Sequence, residues 1–283
     1  MIRLEHVSKK LGKFHLIDVN LELPDGYIMG LVGANGAGKT TLLQTILGLY
    51  RPDAGRICVD GEEWKASAHE NLEQIGFVLV DELFDPALSL QNNADYYGSY
   101  YKNYDRELLQ KYLGKFELSK NKKYRNFSKG EKLKFEVAFA LAHHPKYLIM
   151  DEPAANFDLA FTELFYRLIK DFVSDGAHSV LISTHQTEDI EQIVDYVTLM
   201  DNGQIFLTQD IEALHERYKL VQGERYKIEL LPKEYIIYIE EGKYGASALI
   251  EHHGRNRYDA LAVSNPSIED IMYYLSKGGV FGC

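Results

Sequence analysis

The feature that most constrains this chain is a glycine-rich segment, Gly33-Ala34-Asn35-Gly36-Ala37-Gly38-Lys39-Thr40, which Thr41 follows. It matches the pattern G-x-x-x-x-G-K-[ST], in which glycines let the backbone curl so that successive N–H groups point at a phosphate. In this pattern the lysine reaches the β- and γ-phosphates, and the Thr40 hydroxyl is a ligand for Mg²⁺. The segment therefore predicts a binding site for a nucleoside triphosphate.

The flanking sequence supplies the context that such a loop needs. The apolar segment 27–32 before it is typical of a buried strand, and the segment 41–48 after it has a helical pattern that ends at Gly48. A loop that opens a helix presents backbone N–H groups to an anion at the helix N-terminus. A glycine-rich turn in some other α/β unit is the alternative, but it would not require both the lysine and the threonine.

The order of predicted elements indicates the fold class. Strands alternate with helices up to about residue 212, which predicts an α/β fold, a P-loop NTPase core with a mostly parallel sheet. Residues 1–26 alternate in polarity and predict an antiparallel β arm. Segment 83–128 is rich in tyrosine at helical spacing, so we expect an inserted helical subdomain. Its aromatic residues favour packing within the subdomain or against a partner helix over stacking on nucleic acid.

The pattern changes at about residue 213, where shorter alternating segments begin. Four of them resemble strands: 226–231, 235–240, 246–250 and 258–263. Ser267 then opens a last helix. We therefore expect a nucleotide-binding domain over 1–212 and a small C-terminal α+β region over 213–283, which would support a dimer or regulate it.

A second motif, Asp151-Glu152-Pro153, follows the buried segment 147–150. The strand delivers two carboxylates to the edge of the sheet, so we assign Asp151 to the shell of Mg²⁺ and Glu152 to orienting and polarising the attacking water. Alone, this tripeptide fits a structural strand end equally well. Downstream of Lys39 at domain-scale distance, it predicts hydrolysis of the bound nucleotide.

A third motif, Ser128-Lys129-Gly130-Glu131, precedes a helical segment, and Ser183-Thr184-His185 ends a later strand. In isolation the first of these would be a helix N-cap. Together with the P-loop, the helical insert and the acidic motif, all in this order, they make residues 1 to about 213 resemble the ATP-binding cassette (ABC) ATPases.

The resemblance implies a dimer in which two subunits face head to tail and hold two ATP molecules with Mg²⁺. The P-loop of one subunit would hold the phosphates, while Ser128 and the Gly130 backbone of the other would cover the γ-phosphate. Asp158 matches the loop that links the two sites, and His185 matches a histidine that contacts the γ-phosphate. The catalytic residues implied are Lys39, Glu152 and His185.

Some positions depart from the family pattern. Val80 stands where many members have a glutamine, and Asp81 or Glu82 would take over its metal or water contact, so we include Asp81 among the metal ligands. The segment 10–12 lacks the expected adenine-stacking aromatic, for which Phe14 is a candidate substitute. Glu131 replaces a final glutamine. The lysine, the metal ligands and the general base are all present, so we retain hydrolysis.

Composition narrows the possible partners. Lys and Arg total 31 against 42 Asp and Glu, a net charge of −11, which argues against nucleic acid as the main partner. Two distant cysteines fit a reducing compartment, and no apolar stretch approaches the roughly 20 residues needed to cross a bilayer. The N-terminus does not have the pattern of a signal peptide. We expect a cytoplasmic subunit, peripheral on the inner face of the membrane through a separate integral membrane permease.

The Ser-Lys-Gly signature and the ending at 266–270 are similar to ATPases of bacterial ABC-2 export systems. We therefore expect the ATP-hydrolysing subunit of an exporter, acting as a homodimer or heterodimer, with segment 83–104 receiving a cytoplasmic helix of the permease. Two alternatives remain. A soluble ABC ATPase of ribosomes, repair or cofactor assembly fits less well with a single P-loop and a short insert, and a nucleotide sensor without turnover is motivated by Val80 and Glu131.

Overall fold

The structure, a computed structural model, describes residues 1–64, 73–79, 83–242, 245–252, 258 and 261–279. The predicted metal ligand Asp81 and its neighbours Val80 and Glu82 lie outside the described residues. The strands are β1 (Ile2–Leu11), β2 (Phe14–Leu23), β3 (Ile28–Val32), β4 (Ala54–Val59), β5 (Glu62–Glu63), β6 (Ile75–Val78), β7 (Tyr147–Asp151), β8 (Ser179–Thr184), β9 (Tyr196–Asp201), β10 (Gln204–Asp210), β11 (Tyr218–Gly223), β12 (Ile236–Gly242), β13 (Gly245–Glu251) and β14 (Ala262–Ser264). The helices are α1 (Lys39–Ile46), α2 (Leu90–Gly98), α3 (Arg106–Lys115), α4 (Lys129–Leu141), α5 (Leu159–Val173), α6 (Thr187–Ile190), α7 (Ile211–Arg217), α8 (Arg225–Ile228) and α9 (Ile268–Lys277).

The central sheet has the strand order β10-β9-β3-β8-β7-β6. Every neighbouring pair is parallel except the β9–β10 hairpin, so the predicted mostly parallel α/β sheet is confirmed. Because β3 pairs with β8 from Ile28↔Val180 to Val32↔Thr184, and β7 pairs with β8 up to Asp151↔Ser183, the three strands finish at one edge. In open α/β sheets this carboxyl edge is where ligands bind.

Both faces of the central sheet are covered, which explains its apolar strands. Alternate residues of β3 enter different cores: Ile28 and Val32 pack with residues of α4 and α5, while Met29 and Leu31 pack with residues of α1 and the β arm. The sheet is therefore held from both sides, and its carboxyl edge is a fixed platform for the loops that follow β3, β7 and β8.

Strands β1 and β2 pair antiparallel, as predicted for residues 1–26, and β4 and β5 extend this arm in the strand order β2-β1-β4-β5. Within segment 83–128 lie α2 and α3, which are capped by the side chains of Ser89 and Asp105. These caps accept the N–H groups of the first turn, which have no partner inside a helix. The predicted helical insert is thus present between β6 and β7.

A third, antiparallel sheet follows α7, in the order β12-β13-β11-β14, which we call the C-terminal sheet. The prediction of a strand at 226–231 is wrong, because residues 225–228 form the short helix α8. Alternation there would bury Tyr226, Ile228 and Leu230 on one face, but only Ile228 is buried, against the C-terminal sheet. The boundary near residue 213 stays a prediction.

Candidate nucleotide-binding site

The P-loop lies between β3 and α1 at the carboxyl edge of the sheet. Gly36 and Gly38 have φ angles of 86° and 111°, which residues with a Cβ atom rarely adopt. Gly33 is required for another reason, because a Cβ atom there would collide with the carbonyl oxygen of Met200. Ala34, Asn35 and Gly36 form the exposed tip of the loop.

The loop is fixed from the side of the β9–β10 hairpin. The N–H of Gly203 donates to the carbonyl oxygen of Ala37 at 2.8 Å. Space for a Cβ atom at Gly38 is taken by the Phe14 ring and the Met200 side chain. Phe14, the candidate for adenine stacking, therefore packs beside Gly38 at the start of α1, and Thr41 follows in the first turn of that helix.

Lys39 is 5% exposed, and its ammonium group lies under the loop. Its Nζ donates to the carbonyl oxygen of Gly33 at 2.7 Å and to that of Ala34 at 3.3 Å. The same Nζ lies 3.6 Å from Oε1 of Glu152. A buried ammonium needs such partners, and these hold it at the inner side of the loop, where it is directed at the acidic motif.

Thr40 and Asp151 meet across the same edge. The Thr40 hydroxyl donates to Oδ2 of Asp151 at 2.6 Å, and the Ser183 hydroxyl donates to the other carboxylate oxygen. Asp151 itself is 1% exposed. Hydroxyl and carboxylate oxygens are the donors that Mg²⁺ prefers, so Thr40 and Asp151 fit a magnesium ion that also takes phosphate oxygens.

Glu152 stands at a strained point of the backbone. Its φ of 50° and ψ of 45° lie in the left-handed region, which a non-glycine residue adopts at a cost of about 1–3 kcal/mol. Its N–H donates to the carbonyl oxygen of Ser183 at 3.1 Å, which holds the turn, and its Oε2 lies against Nδ1 of His185. Strain of this kind, kept by surrounding bonds, is frequent at functional sites.

Ser128 and Glu131 form a second, separate feature at the start of α4. The Ser128 hydroxyl accepts the N–H of Glu131 at 3.2 Å, and the Glu131 carboxylate accepts the N–H of Ser128 at 2.7 Å. This reciprocal capping box stabilises the first turn of the helix. The hydrogen bond from the Ser128 backbone lowers the pKa of Glu131, with a further contribution from Lys122.

Gly130, in the first turn of α4, and Asp158, at the start of α5, lie in the region where these two helices begin. A Cβ atom on Gly130 would overlap with the carbonyl oxygen of Asn156, so only glycine allows this approach. Asp158 caps α5 by accepting the N–H of Phe161 at 2.9 Å, which lowers the pKa of its carboxyl group. Lys134 of α4 also donates to Asp158, at 3.0 Å.

The predicted site residues thus fall into two groups. The P-loop cluster contains Lys39, Thr40, Asp151, Glu152 and His185, and the signature cluster contains Ser128, Gly130 and Asp158. Among the described residues, no hydrogen bond or ion pair joins the signature cluster to residues 33–41. A cleft of about 390 Å³ at the sheet edge is lined by residues that include Asn35, Glu152, His185 and Lys129.

Two residues at the site were not predicted. Ser183 binds the Asp151 carboxylate, and its only signal was its place two residues before His185 on a strand that pairs with β7. Lys134 has no motif of its own, and its role as a partner of Asp158 depends on how α4 and α5 pack.

Where the chain is described, no three His, Cys, Asp or Glu side chains are grouped to hold a metal by themselves. Every helix in the same part of the chain is too short or too polar to span a bilayer.

Comparison with known proteins gives the family. A family model described as ABC transporter matches residues 16–155. The chain is 30% identical over 224 residues to the ABC transporter ATP-binding protein YtrB of Bacillus subtilis, covering 78% of this chain and 76% of that protein. It is 28% identical to the bacitracin transport ATP-binding protein BcrA of Bacillus licheniformis, covering 100% and 99% of the two chains.

Solved structures have the same fold. A structure described as the ATP-binding subunit of an ABC transporter superposes with a TM-score of 0.70 at 22% identity, over 76% of this chain and 92% of that one. The ATP-binding cassette MJ0796, a post-hydrolysis dimer bound to ADP and Pi, gives 0.67 at 23% identity, over 75% and 99%. The chain belongs to the ABC transporter family of ATP-binding proteins, and it is an ABC ATPase, so the predicted resemblance and fold class are confirmed.

Proposed function

We propose that this ABC ATPase powers a membrane exporter through ATP-dependent association of two cassettes. The observation that carries the transport role is the match to BcrA, a bacitracin transport ATP-binding protein, which extends over essentially the full length of both chains and so includes the C-terminal region. Relatives named for export and for import match similar shares of the chain: 72% for the Nod factor export ATP-binding protein I of Ralstonia nicotianae and 76% for the probable sulfate/thiosulfate import ATP-binding protein CysA of Chlorella vulgaris. The direction therefore rests on the Ser-Lys-Gly signature and the ending at 266–270, which are similar to those of ATPases of ABC-2 export systems.

The P-loop cluster supports the binding half of the mechanism. Lys39, which already lies beside the loop carbonyls, would exchange them for oxygens of the β- and γ-phosphates. Thr40 and Asp151 would hold Mg²⁺, which when bound neutralises charge on the phosphates. The buried Ser183 hydroxyl keeps the Asp151 carboxylate turned toward Thr40.

Glu152 and His185 support the hydrolytic half. Glu152 is fixed by its backbone bond to Ser183 and is approached by Lys39 on one oxygen and His185 on the other. A carboxylate held in this way would orient a water molecule and accept its proton as the water attacks the γ-phosphate. His185, with a side chain that is 37% exposed, would contact the γ-phosphate.

The signature cluster supports a partner subunit. Ser128 and Gly130 lie at the N-terminal end of α4, where backbone N–H groups favour an anion. Because no hydrogen bond or ion pair among the described residues joins them to their own P-loop, we propose that they cover the γ-phosphate held by a second subunit. Leu159, directly after Asp158, is 78% exposed, and such a contact would cover it.

An apolar groove supports a membrane partner. It has a volume of about 660 Å³ and lies between α4 and the helical subdomain, lined mainly by aromatic and aliphatic side chains: Phe77, Leu83, Phe84, Tyr97, Tyr100, Tyr101, Phe139 and Ala140. Tyr100 is 68% exposed on its rim. We propose that a short cytoplasmic helix of the permease packs here, within the segment 83–104 that the sequence indicates.

The test of the mechanism is the variant Glu152→Gln. It keeps every phosphate-binding group but removes the proton acceptor, so turnover should fall by about 10²–10⁴-fold while ATP still binds. Light scattering with saturating ATP and Mg²⁺ should then detect a stable dimer. Glu163→Gln, on the exposed face of α5, is the matched control and should behave as the wild type. A Glu152→Gln chain that stays monomeric would contradict the proposal.

The test of the transport role is recovery from cells. Affinity purification from detergent-solubilised membranes should recover an integral membrane protein with this chain, and Tyr100→Glu in the groove should reduce that recovery without changing nucleotide binding. Recovery with ribosomes or DNA instead would contradict the exporter. A strain lacking the gene should retain more of the exported compound, and Glu152→Gln should fail to restore export.

A further inference from the structure

The segment that follows His185 is bonded to the strand that carries the P-loop. After α6, Asp195 pairs with Ile28 in both directions: the Asp195 N–H donates to the Ile28 carbonyl oxygen at 2.9 Å, and Oδ2 of Asp195 accepts the Ile28 N–H at 2.8 Å. A Cβ atom at Gly30 would lie 3.2 Å from a methyl group of Val194. One side of segment 186–195 is therefore packed directly on β3.

The other side of this segment meets the C-terminal helix α9. Ile190 and Ile193 are 3% and 5% exposed, and they share one core with Ile268 and Ile271 of α9, each 0% exposed. The segment 186–195 therefore packs between β3 and the C-terminal helix α9, which contributes no residue to the nucleotide site.

Glu191 is the polar link in this contact. Its Oε2 accepts the N–H of Ile268 in a long hydrogen bond of 3.4 Å, and its Oε1 lies 3.3 Å from Nε2 of His215 on α7. Ile268 is the first residue of α9, where N–H groups have no partner within the helix and the helix dipole favours a negative charge. Ser267 and Asp270 occupy the other capping positions.

The link from Glu191 acts on the C-terminal side of His185, because β8 fixes the backbone only up to Thr184, which pairs with Val32. Thr184 and Gln186 close a local turn, in which the Gln186 N–H donates to the Thr184 hydroxyl at 2.9 Å. From there the chain runs through the four residues of α6 to Glu191. A shift of α6 would move the imidazole away from Glu152, and small displacements of catalytic groups lower rates strongly.

We propose that Glu191 is a positioning residue, through which the C-terminal helix α9 holds the His185 segment in its catalytic arrangement. The proposal rests on the role of His185 proposed above. It assigns the C-terminal region a task within a single subunit, namely fixing the loop that senses the γ-phosphate, in addition to any contact it makes with a partner.

The experiment compares Glu191→Ala with His185→Ala and with the double variant. Glu191→Ala should lower kcat about tenfold and leave the affinity for a non-hydrolysable ATP analogue unchanged, because phosphate binding is made by the P-loop. Glu191→Gln keeps an acceptor for the Ile268 N–H and should recover part of the loss. Glu269→Ala, an exposed carboxylate in the first turn of the same helix, is the matched control and should match the wild type.

The double variant separates positioning from a structural effect. If Glu191 acts through His185, the double variant should be within about twofold of His185→Ala alone, since the two residues would then share one function. The proposal would be overturned if the fold-loss of kcat in the double variant equalled the product of the two single losses. An unchanged kcat in Glu191→Ala would also overturn it. Wild-type turnover above a Lys39→Ala background in the same assay establishes the ATPase independently, so a null result for Glu191 counts against this proposal alone.

A second readout is amide hydrogen exchange of the full chain. Glu191→Ala should speed amide exchange over residues 186–194 and leave exchange in β7 and β8 unchanged. Its melting temperature should equal that of the control Glu269→Ala. Unchanged exchange over 186–194 would show that α9 does not fix the segment and would overturn the proposal.

Discussion

The P-loop cluster lies on α1 and at the ends of β7 and β8, whereas the signature cluster lies at the starts of α4 and α5, and the two differ in how exposed their charged side chains are. Lys39 and Asp151 are 5% and 1% exposed, and their polar atoms are bonded to other members of the P-loop cluster. In the signature cluster the Asp158 side chain is 64% exposed, and Leu159 next to it is 78% exposed.

The difference indicates where each cluster finds its ligand. In the P-loop cluster the two buried charges, those of Lys39 and Asp151, are paired within the subunit, so the cluster is prepared to exchange these partners for a phosphate chain. The signature cluster has its helix N-terminus capped by Glu131 and its loop held by Lys134, and no hydrogen bond or ion pair among the described residues joins it to the P-loop. Because these contacts already hold the signature cluster in place, less conformational entropy is lost when a partner subunit binds.

Of the variants that separate the two clusters, Lys39→Ala should have the largest effect, because it removes the one ammonium group of residues 33–41. Turnover should fall by about 10²–10³-fold, the range found when one preorganised charge-stabilising donor is lost. Nucleotide affinity should fall with it, as titration with a fluorescent ATP analogue would measure. Lys170→Ala, on the exposed face of α5, is the control for the loss of one positive charge. Near-normal nucleotide affinity in Lys39→Ala would indicate that the phosphates bind at another site.

Gly130→Asp should have an effect of about 10²-fold on turnover but little effect on ATP binding by the isolated subunit. The new Cβ atom would meet the Asn156 carbonyl oxygen, and the new carboxylate would lie at the helix end proposed for the γ-phosphate. Gly114→Asp, on α3, is the control, since no atom lies within 4 Å of a Cβ atom there. Equal losses of ATP binding and turnover would indicate that the two clusters form one site within a single subunit.

The smallest effect on turnover is expected at the opposite edge of the sheet, where Asp60 joins the arm to β7. Burial raises the pKa of Asp60, but hydrogen bonds from Lys146, the N-terminal amine and Tyr147 outweigh it and lower the pKa to about 2. Because the folded pKa is below the ordinary 3.8, this contribution to stability is present above pH 4 and is lost as the pH falls toward 2.

Asp60→Asn should therefore lower the melting temperature at pH 7 by about 2–4 °C, equivalent to about 1 kcal/mol for this partly exposed group, and should flatten the acid dependence of unfolding. Asparagine keeps the shape and tolerates the φ of 52° at this position. Turnover at pH 7 should be unchanged, and calorimetry with a phosphate-release assay checks both. A large loss of turnover would show that the two edges of the sheet are coupled.

Much of the P-loop cluster was predictable because its residues lie next to one another in short motifs. The motifs Gly33 to Thr40 and Asp151 to Pro153 each contain the charged residues of the site and directly follow a recognisable strand. Parallel pairing of β3, β7 and β8 brings them to one edge of the sheet. Lys134, Ser183 and Glu191 were not predictable in this way. Each acts through a residue distant in sequence, and the contact exists only after α4, β8 or α9 is packed.

The C-terminal sheet shows the same limit in its secondary structure. The alternation at 226–231 resembles a strand, but β11 and β13 already pair with one another, and helix α8 packs against them with Ile228 alone buried. β11 itself was missed because its apolar residues, Tyr218, Leu220 and Val221, do not alternate cleanly. Val80, Asp81 and Glu82 lie outside the described residues, so the metal contact assigned to Asp81 stays a prediction.

The central claim is that each ATP site is completed by the signature cluster of a second subunit. It is tested most directly by mixing Lys39→Ala chains with Gly130→Asp chains, each nearly inactive alone. In a two-fold symmetric dimer, half of randomly paired dimers are mixed, and each of these has one intact site, so about one quarter of wild-type turnover should return. A mixture no more active than the average of the two separate variants would contradict the claim.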